Sequence, residues 1–288
     1  MLVAGVLITA LALGGSTSSA TPPPPPRVMV IADSAFTAVT GNERPLAILT
    51  AGFDFEIDVG VCRRLTGASC PDGDYQPPTL VDVVHTLGPS IAPTVIVEVG
   101  YNEFVDSFPQ SVELAMTTLV DAGVKKILWL TMSELRPQYI AMNEQLAAVA
   151  ARHPEVELVD WGAASRGHDA WFQGDGVHLG YDGAVAMAHL LRDALVSAIV
   201  PPLLATPTRL PVAHVGKPYS AQLVVRGGLE PLRWRVVSGR IGDGLHVLAG
   251  GRIVGTPRRP GKLTLSVRVL DEAGQAVSLN ATVTVARR

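Results

Sequence analysis

Five short runs rich in Val, Ile and Leu, at residues 27–32, 55–61, 94–99, 126–131 and 156–160, constrain the fold more than any other feature of the chain. Short continuous runs of this kind look like strands buried on both faces of a parallel sheet. Between them lie helical patterns. Residues 111–122 place Val112, Leu114, Ala115, Leu119 and Val120 at helical spacing, and residues 138–152 do the same with Ile140, Met142, Leu146 and Val149. Strand and helix alternate, which predicts an α/β domain with a parallel sheet. A last helix, about 181–200, is rich in Ala, Leu and Val and stops at Pro201-Pro202. Proline lacks the N–H a helix needs and restricts the residue before it.

Beyond Leu210 the pattern changes. Residues 221–225, 232–237, 263–269 and 281–285 are apolar or alternating, and Gly227-Gly228, Gly239, Gly250-Gly251 and Pro260-Gly261 punctuate them. Leu263, Leu265, Val267 and Val269 face one way and Thr264, Ser266 and Arg268 the other, as in a half-buried strand. A small all-β sandwich is expected here. The run Gly251-Arg252-Ile253-Val254-Gly255-Thr256-Pro257, followed by Pro260-Gly261 and Asp271, resembles bacterial immunoglobulin-like modules over residues 208–286. That resemblance implies a spacer or adhesion unit, with possible contact to the cell envelope or to carbohydrate. Asp271 and Glu272 read as a solvated turn.

At 288 residues, an α/β domain of moderate size plus a smaller unit accounts for the whole length. The expected order is a signal at 1–20, a proline-rich linker at 21–26, the α/β domain at 27–200, a linker at 201–207 and the β unit at 208–288. The signal is read from the apolar run Leu2 to Leu13 and the small residues ending Ser18-Ser19-Ala20, although no Lys or Arg precedes the run. It falls short of the ~20 apolar residues a membrane span needs, and no later segment supplies one. A net charge of -3 and only isolated pairs, Arg63-Arg64, Arg258-Arg259 and Arg287-Arg288, give no basic stripe for nucleic acid. These arginines read as solvated surface. Cys62 and Cys70 are the only cysteines. In an exported, envelope-associated or secreted chain they are expected to pair, closing a small loop, and nothing near them suggests a metal site.

The candidate chemistry lies at the exits of the apolar runs. Ser34 follows the first, Asn102 follows the third within Gly100-Tyr101-Asn102, and Asp175-Gly176-Val177-His178 precedes the last helix. In α/β sheets ligands bind outside the carboxyl ends of the strands, which is where these groups would meet. A serine hydroxyl is a weak nucleophile unless a base takes its proton. His178 is the best-placed base, and Asp175 can fix its tautomer. Singly, the serine reads as a helix cap, the aspartate as a turn and the histidine as an ordinary surface or core residue. Their conjunction in this order points to a catalytic set. Oxyanion donors are expected from the Ser34 N–H, the Asn102 side chain and the backbone at Gly60. His85, His153, His168, His189, His214 and His246 read as structural or surface. Trp161, Trp171 and Phe172 could wall a glycan or acyl pocket or belong to the core.

Ala32-Asp33-Ser34, Ile57 to Leu65 with Gly60, Gly100-Tyr101-Asn102-Glu103 and Asp175 to His178 together resemble the four blocks of the SGNH (GDSL-like) hydrolase superfamily, over about residues 27–198. The resemblance implies a three-layer flavodoxin-like fold and cofactor-free hydrolysis of an acyl ester through an acyl-serine. The phrases around Trp129, Trp161 and Trp171-Phe172 resemble SGNH domains attached to membrane acyltransferases that O-acetylate envelope glycans. Ala32 stands in place of the family's glycine, and Glu103 in place of its frequent aspartate. The expected activity is a serine esterase or deacetylase acting on a short acyl ester or acylated glycan. The alternatives are a glycan O-acyltransferase with the same triad and an inactive envelope or glycan-binding protein.

Overall fold

A computed structural model of the chain describes residues 23–71, 73–206, 209–239, 242 and 244–287, so the expected signal at 1–20 lies outside the described residues. Strands β1 (Arg27–Ala32), β2 (Asp54–Val59), β3 (Thr94–Glu98), β4 (Lys126–Leu130) and β5 (Val156–Val159) form one sheet in the order β2-β1-β3-β4-β5. All four pairings are parallel. The order is one of the two common doubly wound arrangements.

Among the described residues seven α-helices accompany the sheet: α1 (Thr37–Thr40), α2 (Glu43–Thr50), α3 (Leu80–Leu87), α4 (Phe108–Asp121), α5 (Pro137–Ala150), α6 (Trp161–Ser165) and α7 (Tyr181–Ile199). They cover both faces. Met29 and Ile31 of β1 join a core with Leu80, Val84, Val112, Met116 and Leu146, from α3, α4 and α5. Val28, Val30 and Ala32 join a second core with Val39, Leu49, Trp161, Met187 and Leu191, from the remaining helices. Every β1 residue after Arg27 is buried, which explains why the strand reads as a continuous apolar run and not as an alternation.

After α7 the chain becomes antiparallel. The segments β6 (Leu204–Ala205), β7 (Ala213–His214), β8 (Tyr219–Gln222), β9 (Val225–Arg226), β10 (Arg233–Gly239), β11 (Leu245–Val247), β12 (Arg252–Gly255), β13 (Gly261–Leu270) and β14 (Ala276–Ala286) form sheets β10-β13-β14-β7, β11-β12-β8 and β6-β9. Their own core includes Leu265, Val267 and Val269, the inward side of the alternation read in β13. Asp271 departs from expectation. It is 1% exposed, and its carboxylate accepts from the N–H of Leu229 at 2.8 Å and of Gln275 at 2.6 Å. The turn is held by a buried acceptor and not by water.

The two units touch directly. Leu229, from the β unit, packs in the core of α2 and α7, and the Arg192 guanidinium of α7 donates to the carbonyls of Ile48, Ala51 and Glu272.

Candidate active site

β1 ends where the chain must turn into a short 3₁₀ segment, Ser34–Phe36, and Asp33 caps it by accepting from the Ala35 N–H at 2.9 Å. The cap turns Ser34 out at the strand's carboxyl end. Its Oγ lies 3.0 Å from His178 Nε2, and His178 Nδ1 lies 2.6 Å from Asp175 Oδ2. The Ser34 hydroxyl can donate to one imidazole nitrogen while the other donates to Asp175. Asp175 and His178 occupy one tight turn, because Asp175 Oδ1 also accepts from the N–H groups of Val177 at 2.8 Å and His178 at 2.9 Å. Burial opposes ionisation of Asp175, but the hydrogen bonds from the His178 ring and the two N–H groups outweigh it and hold the carboxyl at about 2. The aspartate is therefore charged through the neutral range.

The turn is braced from outside. Arg136 donates through Nε and Nη2 to the Asp175 carbonyl at 3.0 and 2.6 Å, and Ser133 Oγ donates to the Gly176 carbonyl. A methyl group on Gly176 would meet Leu135 Cβ at 3.0 Å, and the glycine's φ of +73° is one that side chains resist. A cavity of about 350 Å³ opens beside this turn, between Leu135, Arg136, Asp169 and Phe172.

Asn102 stands opposite. Its Nδ2 donates to Asp33 Oδ2 at 3.3 Å and to the Arg63 carbonyl at 3.2 Å. Both contacts are long, and one must be shared or released for the amide to serve another acceptor. Asp33 Oδ2 also accepts from the Gly100 N–H at 3.4 Å. Burial pushes the Asp33 carboxyl up to about 6 against these hydrogen bonds. Beneath it, burial and then the Asp33 charge push Glu98 well above the usual carboxylate range. Two carboxyl groups thus sit close together under the serine, each disfavouring the other's charge.

The structure separates Gly60 from the other expected donors. Its N–H donates to the Ala32 carbonyl at 3.0 Å, continuing the β1–β2 ladder, so it has no hydrogen to aim at a reacting group. It is glycine for a different reason: a Cβ there would meet the Arg63 guanidinium at 2.9 Å. Arg63 in turn corrects the surface reading of the arginine pair. Its side chain is 1% exposed and donates to the Pro78, Asp58 and Ala32 carbonyls, with Nη2 on Asp58 Oδ1 at 2.8 Å. Arg64 pairs with Glu103 Oε2 at 3.2 Å, and Glu103 Oε1 accepts from the Leu65 N–H at 2.6 Å. Glu103 therefore ties the segment after Gly60 to the Asn102 turn.

That segment carries the Cys62–Cys70 disulfide. Cys62 has φ of +65°, and among the described residues no other non-glycine residue takes a positive φ. Such a backbone costs about 1–3 kcal/mol and persists only where its surroundings over-determine it. Cys62 Sγ lies 3.8 Å from Asn102 Oδ1.

The aromatic residues divide. Trp161 and Phe172 are buried in the α7-side core, while Trp171 stacks between Trp161 and His168 at centroid distances of 5.7 and 3.9 Å. His153 does have an acidic partner, Glu113 at 3.0 Å, but this pair joins α4 and the end of α5 far from any strand exit. Residues that sequence reading missed are Ser133, Arg136 and Glu103 as braces, and Glu98 under Asp33. Glu98 left a trace as a lone acid ending an apolar run, and Glu103 as the residue standing after Asn102, while Ser133 and Arg136 left none.

No protein-family profile matches the chain. Over 98 residues it is 32% identical to O-acetyltransferase OatA of Staphylococcus aureus NCTC 8325, a match covering 34% of this chain and 15% of that protein. A second protein, from S. aureus MSSA476 and described as an O-acetyltransferase, is 32% identical over 116 residues, 36% of this chain and 18% of that one. The chain therefore spans less than a fifth of the length of these curated relatives. Among solved structures, the Clostridium thermocellum family 3 carbohydrate esterase superposes with a TM-score of 0.41 at 12% identity, over 59% of this chain and 95% of its own.

Proposed function

We propose that the chain is an extracytoplasmic SGNH-type serine esterase, residues 27–200 forming its catalytic domain and residues 208–288 an immunoglobulin-like appendage that contacts envelope or carbohydrate. The observation that carries this reading is the continuous Ser34, His178, Asp175 relay, with contacts of 3.0 and 2.6 Å. The disulfide supports an oxidising compartment.

In the proposed cycle His178 Nε2 takes the proton as Ser34 Oγ attacks the acyl carbon. Asp175 stabilises the imidazolium, and the oxyanion is met by the Ser34 N–H, which has no protein acceptor, and by Asn102. Collapse expels the alcohol, which takes the proton from His178, and leaves an acyl-serine. Water then enters by the reverse route, releasing the acid and restoring the hydroxyl. The acyl group is short, such as the O-acetyl of a glycan. The names of the sequence relatives favour a second reading, in which a sugar hydroxyl replaces that water and the enzyme is a glycan O-acyltransferase.

One experiment tests both. Wild type and Ser34→Ala are given p-nitrophenyl acetate, with and without a glycan acceptor, and a serine-reactive phosphonate, and turnover and intact mass are followed. Turnover and a single adduct, both lost in the variant, are expected, and an acetylated acceptor selects the second reading. A well-folded wild type with neither turnover nor adduct would instead support a binding or scaffold protein.

A further inference from the structure

The loss of Gly60 as a donor leaves the oxyanion with fewer partners than the chemistry asks for, and the segment that follows supplies the replacement. Among the described residues, the next two peptide N–H groups, on Val61 and Cys62, donate to no protein acceptor, although Gly60 before them and Arg63 and Arg64 after them are all bonded. Val61 is 40% exposed, so this stretch opens to the solvent side of the sheet end. Two successive free N–H groups at a residue with φ of +65° form a concave donor pair of the kind that receives anions. The pair lies beside Asn102, since Cys62 Sγ is 3.8 Å from Asn102 Oδ1 and the next carbonyl, that of Arg63, accepts from Asn102 Nδ2.

We propose that the Cys62–Cys70 disulfide is a positioning element of the active site: it holds Cys62 in its left-handed conformation and so presents the Val61 and Cys62 N–H groups to the oxyanion beside Asn102. The inference rests on Ser34 being the nucleophile. Without the cross-link only the turn bond from the Arg63 N–H to the Gly60 carbonyl at 3.0 Å spans Cys62, and a residue with a Cβ relaxes from positive φ against that single bond. The donors then turn away while Ser34, His178 and Asp175 stay in place. A dithiol reductant carries out this change in balance: two electrons and two protons pass to the cystine, giving two thiols, and the reductant closes to its own cyclic disulfide.

The experiment begins with oxidised full-length protein and p-nitrophenyl acetate. Turnover abolished by Ser34→Ala secures the underlying reading, and its absence defeats that reading before the disulfide is touched. Cys62→Ala/Cys70→Ala is then compared with Cys62→Gly/Cys70→Ala. The alanine pair is expected to lose kcat by about 100-fold, the scale for one oxyanion donor, with KM changed little. The glycine pair should recover most of that loss, because glycine holds positive φ without a cross-link and keeps the N–H. A disulfide that only staples the loop would lower the denaturant midpoint of both variants equally and leave both kcat values intact, which would overturn the proposal. If the alanine pair does not fold, wild type reduced by dithiothreitol, with intact mass and circular dichroism confirming two thiols and a retained fold, decides in its place. Loss of turnover there supports the proposal, and retention defeats it.

Discussion

Ser34, Asn102, Asp175 and His178 were readable because each sits in a local motif at the end of a recognisable element. Their supporting residues were not. Arg63 looks like half of a surface arginine pair until the fold brings three carbonyls and the Asp58 carboxylate around it. Glu98 ends β3 and Asp33 follows β1, and only the sheet makes them neighbours. Their raised carboxyl groups carry a stability consequence whose sign can be worked out. Each ionises more readily in the unfolded chain, from ordinary values of 3.8 and 4.5, than in the fold, where Asp33 titrates at about 6 and Glu98 is raised well above its ordinary value. Their contribution is therefore fully present below about pH 4 and is lost as pH rises through the folded values. Asp175 works the other way, losing its contribution only as pH falls toward about 2. Glu98→Gln, whose amide can donate to Asp33 at every pH, should flatten the decline. Urea midpoints measured between pH 4 and 8 check this; a variant curve as steep as wild type would place the titrating group elsewhere.

Among the elements, the long helices and the five strands were legible from apolar spacing to within a few residues, while α2 and α3 were passed over. Each has eight residues, too few to show a period clearly. α3 had nevertheless left a mark, since Thr79 and Asp82 form a reciprocal capping box at its start. The segment between β4 and α5 shows why parts of the site escaped a linear reading. Asn143 of α5 fixes its second residue by bonding both the N–H and carbonyl of Met132 at 2.8 Å. Ser133 lies outside any helix; its N–H donates to the Tyr101 hydroxyl at 2.8 Å and its Oγ to the Gly176 carbonyl. One buried serine thus joins the Asn102 turn to the Asp175 turn. Ser133→Ala leaves that carbonyl unpaired, which should cost about 1–3 kcal/mol in urea unfolding. It should also lower kcat for p-nitrophenyl acetate, because the His178 turn loses a brace. Unchanged kcat would show that Arg136 suffices.

For the whole molecule, the change of character near residue 210 located the second unit, but its attachment to the first lay beyond any periodicity. Leu229 is 3% exposed in the core of the α/β unit, and a Cβ on Gly52 would meet its Cδ2 at 2.8 Å. Asp271 grips the same segment, and Arg192 reaches across to Glu272. The β unit is therefore docked and not tethered. Leu229→Ala should lower stability by about 2–5 kcal/mol and split a single calorimetric transition into two. A variant that still melts in one step at the wild-type temperature would mean that the Arg192 contacts alone couple the units.

The hydroxyl of Ser34 and the ring of His178 are separated by 144 residues of chain. A ribosome releases the serine, the donor segment and the asparagine in that order, and the base only near the end of the α/β unit. At 5–20 residues per second, a nascent chain spends about 7–30 seconds carrying its serine without a base. On the proposed reading, a chain truncated anywhere before the Asp175 turn carries the nucleophile without its base, and its serine would stay unreactive toward esters.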